Sequence, residues 1–164
     1  MNFVNKKHIY FLRHAKAEKG WPGLADIDRP LHPLGIEEAH KVAKIYASST
    51  PIPDLVICSP SVRTYSTAMI FCRCVGFNLS DIQLDERIYN ASLMDLWEVI
   101  SEINEKYSSV LIVGHNPSMT EISCAFNNGI QHLKTGSLYG FSNQNQFWTE
   151  LDGSESVMIR SIEP

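Results

Sequence analysis

Three short apolar runs in this sequence are each followed by side chains that could do chemistry. The arginine and histidine residues in these positions are Arg13, His14, Arg63 and His115. Short apolar runs rich in aromatic and β-branched residues predict buried strands. Open α/β sheets bind ligands outside the carboxyl ends of their parallel strands. The sequence therefore predicts that these four side chains converge at one edge of a sheet.

Two arginines and two histidines in one pocket would suit a dianion such as phosphate. The planar guanidinium group of arginine presents several donors that match phosphate oxygens. A neutral imidazole nitrogen can attack phosphorus, and a protonated imidazole can donate to phosphoryl oxygens. These residue types therefore indicate phosphoryl chemistry.

The elements that must position these residues alternate between strands and helices. The predicted strands are 9–12, 55–58, 82–84, 110–113, 138–141, 147–151 and 157–160, and the predicted helices are 34–48, 61–74, 93–106 and 117–126. This alternation favours a three-layer α/β/α sandwich with a mostly parallel central sheet, closed by antiparallel strands at the C-terminal end. With 164 residues and no visible linker or repeat, we expect a single domain over 1–164.

A long connection, about Ala15 to Pro33, follows the first predicted strand. Loops longer than about 12–15 residues are often functional in compact domains. This segment could cover the mouth of the pocket and contact substrate. A packed surface loop anchored by Trp21 is the alternative, and the sequence leaves both open.

Composition argues against several classes of partner. The net charge of −4 gives no general attraction to nucleic acids or acidic membranes. No apolar stretch approaches the roughly 20 residues of a transmembrane helix, and Met1–Lys7 lacks the apolar core of a signal peptide. We therefore expect a cytoplasmic protein with reduced thiols. The cysteines are Cys58, Cys72, Cys74 and Cys124.

The histidines and cysteines outside the predicted pocket are not spaced along the sequence in the way that metal ligands usually are. Cys72-x-Cys74 has no second pair at a suitable distance along the chain. A metal-dependent phosphatase needs clustered carboxylates, which Asp26 and Asp28 alone do not supply. We therefore expect no metal and no cofactor. The histidines concerned are His8, His32, His40 and His132.

Four ordered elements resemble the histidine phosphatase superfamily, and in particular its small SixA-like phosphohistidine phosphatase branch. They are Arg13-His14-Ala15, Ser59-Pro60-x-x-Arg63, Asp85-Glu86-Arg87-x-Tyr89-x-Ala91 and Gly114-His115-Asn116-Pro117. The segment Asp26-Ile27-Asp28-Arg29-Pro30-Leu31 and Gly35 also look like that branch. The resemblance covers roughly residues 8 to 151 and implies a phosphoglycerate mutase-like fold with a minimal lid.

The resemblance implies a catalytic role for each of five residues. His14 would be the nucleophile that forms a covalent phosphohistidine intermediate. Arg13 and Arg63 would hold the phosphoryl oxygens, and His115 would donate to them as a cation. Glu86 stands where the family places its acidic residue and would protonate the leaving group.

Further residues are expected around this set. Lys16, at the rim of the pocket, and Asn116 are predicted to contribute to substrate binding. Glu18 and Asp28, both in the first long loop, compete with Glu86 for the role of general acid, and the sequence does not separate the three.

The function implied is that of a metal-independent phosphatase that removes phosphate from phosphohistidine in proteins. Only one helix is predicted between Leu84 and Val110, so the large insertion of phosphoglycerate mutases and acid phosphatases is missing. An exposed pocket suits a bulky substrate such as a phosphorylated protein. A phosphatase of small phosphomonoesters and a non-catalytic phosphate- or protein-binding module on the same fold remain the alternatives. The oligomeric state, a monomer or otherwise, is left open.

Overall fold

The apolar runs of the sequence form the central strands of a six-stranded sheet. The computed structural model describes residues 6–164. The strands are β1 (Lys7–Arg13), β2 (Leu55–Cys58), β3 (Gln83–Leu84), β4 (Ser109–Gly114), β5 (Leu138–Asn143) and β6 (Ser156–Ile162). Their order in the sheet is β3-β2-β4-β1-β5-β6. The first four are parallel, and β5 runs antiparallel to both β1 and β6.

Two helices cover each face of this sheet. They are α1 (Pro33–Ala47) and α2 (Val62–Val75) on one face, and α3 (Leu93–Ser101) and α4 (Ser118–Phe126) on the other. Because successive side chains of a strand point to opposite faces, Tyr10 packs edge-on against Tyr46 of α1, and Phe11 packs against Phe126 of α4. The predicted three-layer sandwich with a mostly parallel sheet is confirmed.

Local sequence signals mark the ends of the helices. The Ser61 side chain accepts a hydrogen bond from the Thr64 backbone N–H at the start of α2, and Ser92 forms a reciprocal capping box with Asp95 at the start of α3. Side-chain caps of this kind satisfy backbone donors that have no partner inside the helix. Gly76 ends α2 with a positive φ of 82°, a conformation that glycine adopts without steric cost.

The strand predicted over 147–151 is wrong. This segment forms a 3₁₀ turn at Trp148–Glu150 between β5 and β6. The Trp148 side chain is buried, and its indole N–H donates to the Tyr107 backbone carbonyl at 3.0 Å. A tertiary contact therefore outweighs the β-propensity of the aromatic residues.

The third helix is shorter than predicted, since α3 ends at Ser101 rather than near Lys106. All four cysteines carry free thiols. No helix within residues 6–164 is long and apolar enough to cross a membrane. The prediction about a signal peptide falls mainly on residues 1–5, which lie outside the described residues.

Candidate active site

Strand register brings His14 and His115 together. In the parallel pair of β1 and β4, Arg13 lies beside Gly114, so the histidine that follows each of them leaves the sheet at the same level. The His14 backbone N–H donates to the Gly114 carbonyl at 3.0 Å. The two imidazole rings meet edge to face, with 5.1 Å between their centroids. The carboxyl edge of the parallel strands therefore holds a pair of imidazoles.

The His14 ring is held in one tautomer. Its Nδ1 lies 2.8 Å from the Ala15 backbone carbonyl. Because a carbonyl oxygen only accepts, Nδ1 carries the proton and donates, which leaves the lone pair on Nε2. Burial lowers the pKa of His14 to about 4, and the nearby charge of Arg63 adds to this effect. At neutral pH the ring is therefore uncharged, with its lone pair on Nε2.

The His115 ring is buried beside two hydroxyl groups. Its Nε2 lies 2.8 Å from the Ser59 hydroxyl oxygen and 3.4 Å from that of Thr64. Burial lowers the pKa of His115 to about 3, with further contributions from His14 and Arg63. The cationic form expected from the sequence is thus disfavoured in the free site. A bound phosphate dianion would oppose this effect, since an opposite charge nearby favours the charged form.

Arg13 extends from the end of β1 into the interior. Its Nη1 donates to the Leu133 carbonyl at 2.7 Å, whereas its buried Nε has no hydrogen-bond partner among the described residues. Burial also lowers the pKa of this guanidinium. A buried donor without a partner is costly, and an oxygen of a bound anion would satisfy it.

Arg63 lies in the first turn of α2, and its side chain is almost fully buried. The Thr67 hydroxyl donates to the Arg63 backbone carbonyl at 2.7 Å and accepts from the Ala15 backbone N–H at 3.1 Å. This hydroxyl therefore links the start of α2 to the backbone directly after His14.

The guanidinium of Arg63 faces the first long loop. Its Nη2 donates to the Asp26 carboxylate at 2.8 Å, and its Nη1 donates to the Asp26 backbone carbonyl. The same carboxylate accepts from Arg29 and from the Tyr89 hydroxyl, each at 2.9 Å. Asp26 belongs to a 3₁₀ turn, Asp26–Asp28, so the loop between β1 and α1 reaches the pocket. Trp21 does not anchor the loop by burial, since it is 53% exposed.

The other sequence-predicted residues lie apart from the two imidazoles or use their polar groups elsewhere. Asn116 donates through Nδ2 to the Leu133 carbonyl and accepts from Thr120. Lys16 and Glu86 are exposed, as is Asp28. Within the described residues the side chains of these three residues form no ion pair and no hydrogen bond.

The role of general acid is not assigned by these positions. Glu18 contacts Arg29 only through its backbone carbonyl, at 2.9 Å. Arg87, the neighbour of Glu86 in sequence, pairs instead with Asp85 and Glu102. Glu86, Glu18 and Asp28 therefore remain predictions for this role.

Five contacting residues were not predicted as members of the site. Three of them, Asp26, Ser59 and Tyr89, belong to segments that resemble the family, and the ring centroids of Tyr89 and His115 lie 5.6 Å apart. Hydroxyl residues are too common for their type alone to indicate a site, so only the partner across the pocket reveals them. The full set is Asp26, Ser59, Thr64, Thr67 and Tyr89.

Residues 6–164 contain no cluster of three or more His, Cys, Asp or Glu side chains that could hold a metal ion. The chemistry available on these residues is that of two uncharged imidazoles and two guanidinium groups. Such a set can bind an oxyanion, attack its central atom and stabilise charge on its oxygens.

Comparisons with known proteins agree with this arrangement. A family model described as the histidine phosphatase superfamily (branch 1) matches residues 9–110. An uncharacterized protein of Mycobacterium tuberculosis is 32% identical over 113 residues, which cover 68% of this chain and 67% of that protein. An uncharacterized chloroplastic protein of Arabidopsis thaliana is 30% identical over 137 residues, covering 79% of this chain and 63% of that protein.

Solved structures share the whole architecture. The SixA protein of Agrobacterium tumefaciens superposes with a TM-score of 0.82 at 27% identity, covering 96% of this chain and 98% of that one. The SixA protein of Nakamurella multipartitia gives a TM-score of 0.84 at 20% identity, over 97% and 96% of the two chains. The protein histidine phosphatase SixA in complex with tungstate gives 0.78 at 17% identity, over 95% and 96%. The chain therefore belongs to the histidine phosphatase superfamily and has a SixA-like fold.

Proposed function

We propose that this protein is a metal-independent phosphatase that carries the phosphoryl group on His14 and acts on phosphohistidine in proteins. The observation that carries the proposal is the state of His14. Its Nδ1 donates to the Ala15 carbonyl, its pKa is lowered to about 4, and its Nε2 lone pair is free beside His115. A group with these properties is an activated nucleophile at neutral pH.

The reaction would proceed in two displacements at phosphorus. In the first, the lone pair of His14 Nε2 forms a bond to phosphorus while the bond to the leaving group breaks and its electron pair departs with that group. In the second, a lone pair of water forms a P–O bond while the P–N bond of phospho-His14 breaks and its electron pair returns to Nε2. The protons of the water leave with the inorganic phosphate. The charge of each transition state is spread over the equatorial oxygens, where Arg13 and Arg63 would stabilise it.

The open form of the pocket supports a protein substrate. The segment between β3 and β4 contains only a 3₁₀ turn at Glu86–Ile88 and α3, so no large insertion closes over the site. The likeness to SixA proteins, one of them solved with the oxyanion tungstate, supports a phosphoryl site here. An imidazole also leaves phosphorus more easily than an alkoxide, which suits a pocket in which no general acid is assigned.

Trapping the intermediate tests the proposal. The protein is incubated with a labelled phosphodonor, quenched in alkali and mapped by mass spectrometry. We expect the label on His14, and we expect His14→Ala to lower turnover by about 1,000-fold or more, as for the loss of other covalent nucleophiles. Because His14 is partly exposed, the circular dichroism spectrum of the variant is expected to match that of the parent.

The matched control is His132→Ala, because His132 is exposed. The turnover of this variant is expected to equal that of the parent. Excess chelator is expected to leave the turnover of both proteins unchanged. Absence of label together with absence of phosphate release from phosphohistidine and ester donors would contradict the proposal. That result would favour a non-catalytic phosphate- or protein-binding module.

Substrate class is tested by comparing a phosphohistidine-containing protein with simple phosphate esters. Higher kcat/KM on the protein is expected, whereas higher kcat/KM on esters would favour a phosphatase of small phosphomonoesters. If Glu86 protonates the leaving group, Glu86→Gln slows ester hydrolysis more than phosphohistidine hydrolysis. Equal slowing of both would count against that role.

A further inference from the structure

The carboxylate of Asp26 lies at the mouth of the pocket with three donors around it. Its Oδ2 accepts from Arg63 Nη2 at 2.8 Å and from the Tyr89 hydroxyl at 2.9 Å, and its Oδ1 accepts from Arg29 Nη1 at 2.9 Å. An ionised carboxylate offers about four acceptor positions. The described side chains occupy three, so one remains for another donor.

This carboxylate is directed to the open side of the site. The Asp26 side chain is 51% exposed, whereas that of Arg63 beneath it is 7% exposed. Tyr89, which donates to Asp26, packs at 5.6 Å from the His115 ring. A substrate whose phosphoryl group lies between Arg63 and the two imidazoles would therefore carry its leaving group past Asp26.

A negative charge here does not help to bind a phosphate dianion, because like charges repel. It does suit a leaving group that carries an N–H⁺. A phosphorylated imidazole has one ring nitrogen bound to phosphorus and a second nitrogen that can be protonated. The protonated ring departs as neutral imidazole, since the electron pair of the broken P–N bond returns to the nitrogen that held phosphorus.

We infer that Asp26 accepts a hydrogen bond from the protonated second ring nitrogen of a phosphorylated imidazole and so selects phosphohistidine over phosphate esters. The inference rests on the proposed phosphatase function and names the residue that sets its substrate class. No proton crosses from the enzyme to the leaving group, because the departing ring already carries it. His14 Nε2 forms the new bond to phosphorus as the P–N bond breaks.

The ionisation state of Asp26 supports this role. The hydrogen bonds from Arg29, Tyr89 and Arg63 hold the pKa of Asp26 well below its usual range. A carboxylate that stays ionised cannot serve as the proton donor, but it can stabilise a cationic ring. A phosphate ester has no N–H at the corresponding position and gains nothing from this contact.

The test compares two substrates on Asp26→Asn and on a matched control. The substrates are phosphoimidazole and p-nitrophenyl phosphate, neither of which needs a strong acid to expel its leaving group. The control Asp81→Asn makes the same change of charge on an exposed side chain in the 3₁₀ turn that precedes β3. The amide side chain introduced by Asp26→Asn keeps an oxygen for Arg63 and Tyr89, so the fold of the pocket is expected to survive.

We expect Asp26→Asn to lower kcat/KM for phosphoimidazole by about 10- to 100-fold, the range for loss of a hydrogen bond between charged groups. The kcat/KM for p-nitrophenyl phosphate is expected to stay level or rise, and Asp81→Asn is expected to change the kcat/KM of neither substrate. As the pH rises, kcat for phosphoimidazole is expected to fall, because the substrate ring loses its proton. In Asp26→Asn this fall is expected to begin at a lower pH, because the carboxylate charge that favours the protonated ring is gone.

Equal losses on both substrates would overturn the inference, since they would mean that Asp26 only positions Arg63. An unshifted pH profile would also overturn it, while leaving the phosphatase intact. If the parent hydrolyses neither substrate and accepts no label on His14, the proposed function fails and the inference fails with it.

Discussion

At the scale of single residues, the site depends on keeping two imidazoles uncharged next to two cations. His115 is buried and His14 lies half-buried against it, and Arg63 adds to the cost of protonating either ring. Their pKa values, lowered to about 4 and about 3, leave both rings uncharged throughout the neutral range. The same burial makes the folded state sensitive to acid.

The folded protein is expected to lose stability between pH 6 and pH 4. In this range an unfolded histidine, with a pKa of about 6.5, binds a proton that the folded His115 does not. The free energy of unfolding therefore falls on acidification, by about 1.4 kcal/mol per pH unit for each such imidazole once the unfolded ring is protonated. Urea denaturation at pH 6, 5 and 4 measures this slope.

His115→Asn is expected to reduce the slope of the unfolding free energy against pH by the contribution of one imidazole, about 1.4 kcal/mol per pH unit. The control is His132→Asn, which changes an exposed histidine and is expected to leave the slope as in the parent. A slope in His115→Asn equal to that of the parent would show that the ring is charged in the folded state.

At the scale of elements, helix starts determine where the arginine and the hydroxyls of the pocket lie. Ser61 caps α2 through the Thr64 backbone N–H, and the hydroxyls of the two residues are also in contact. Arg63 lies between them in the same turn. The cap therefore positions a phosphate-binding candidate as well as stabilising the helix.

Removing the cap is expected to have two effects. Ser61→Ala is expected to lower the free energy of unfolding by about 1 kcal/mol, the usual value of a serine cap. It is also expected to raise the inhibition constant for tungstate, because Arg63 loses the turn that orients it. Ser92→Ala removes the cap of α3 instead of that of α2, and is expected to cost similar stability without changing tungstate inhibition. Equal inhibition constants in both variants would show that the cap does not position Arg63.

At the scale of the whole molecule, a buried lysine ties together segments distant in sequence. Lys7, at the start of β1, donates to the carbonyls of Glu105 and Tyr107 at 3.2 and 3.0 Å and pairs with the Glu105 carboxylate at 2.9 Å. Its ammonium also lies 5.0 Å from the centre of the Trp148 ring. These contacts join β1 to residues 105–107, which precede β4, and to the 3₁₀ turn at Trp148–Glu150.

Lys7→Met is expected to lower the free energy of unfolding by about 2–3 kcal/mol, because two carbonyls and a carboxylate lose their donor. Activity of the folded fraction is expected to be unchanged, since Lys7 lies about 20 Å from the other end of a seven-residue strand. Thermal or urea unfolding, with kcat measured below the transition, checks both. The control is Lys6→Met, because the Lys6 side chain is exposed. Equal stability of the two variants would contradict the stabilising role of the Lys7 contacts.

The sequence predicted the elements more reliably than the contacts between them. The strand that precedes each pocket residue and the helix that follows were predicted because apolar runs and capping residues are local signals. The segment 147–151 was mistaken for a strand because the burial of Trp148 against Tyr107 involves residues 41 positions apart. Local propensity carries no information about such a partner.

The sequence by itself determined the sheet class and the family, because four ordered elements each follow a strand and keep their own residue types. Only the tertiary structure decided how the side chains share protons and charge. It fixed the proton of His14 on Nδ1, lowered the pKa of His115, and joined Asp26 to Arg63 across 37 residues. Such properties depend on burial and on the distance between groups in space, and residue type and spacing specify neither.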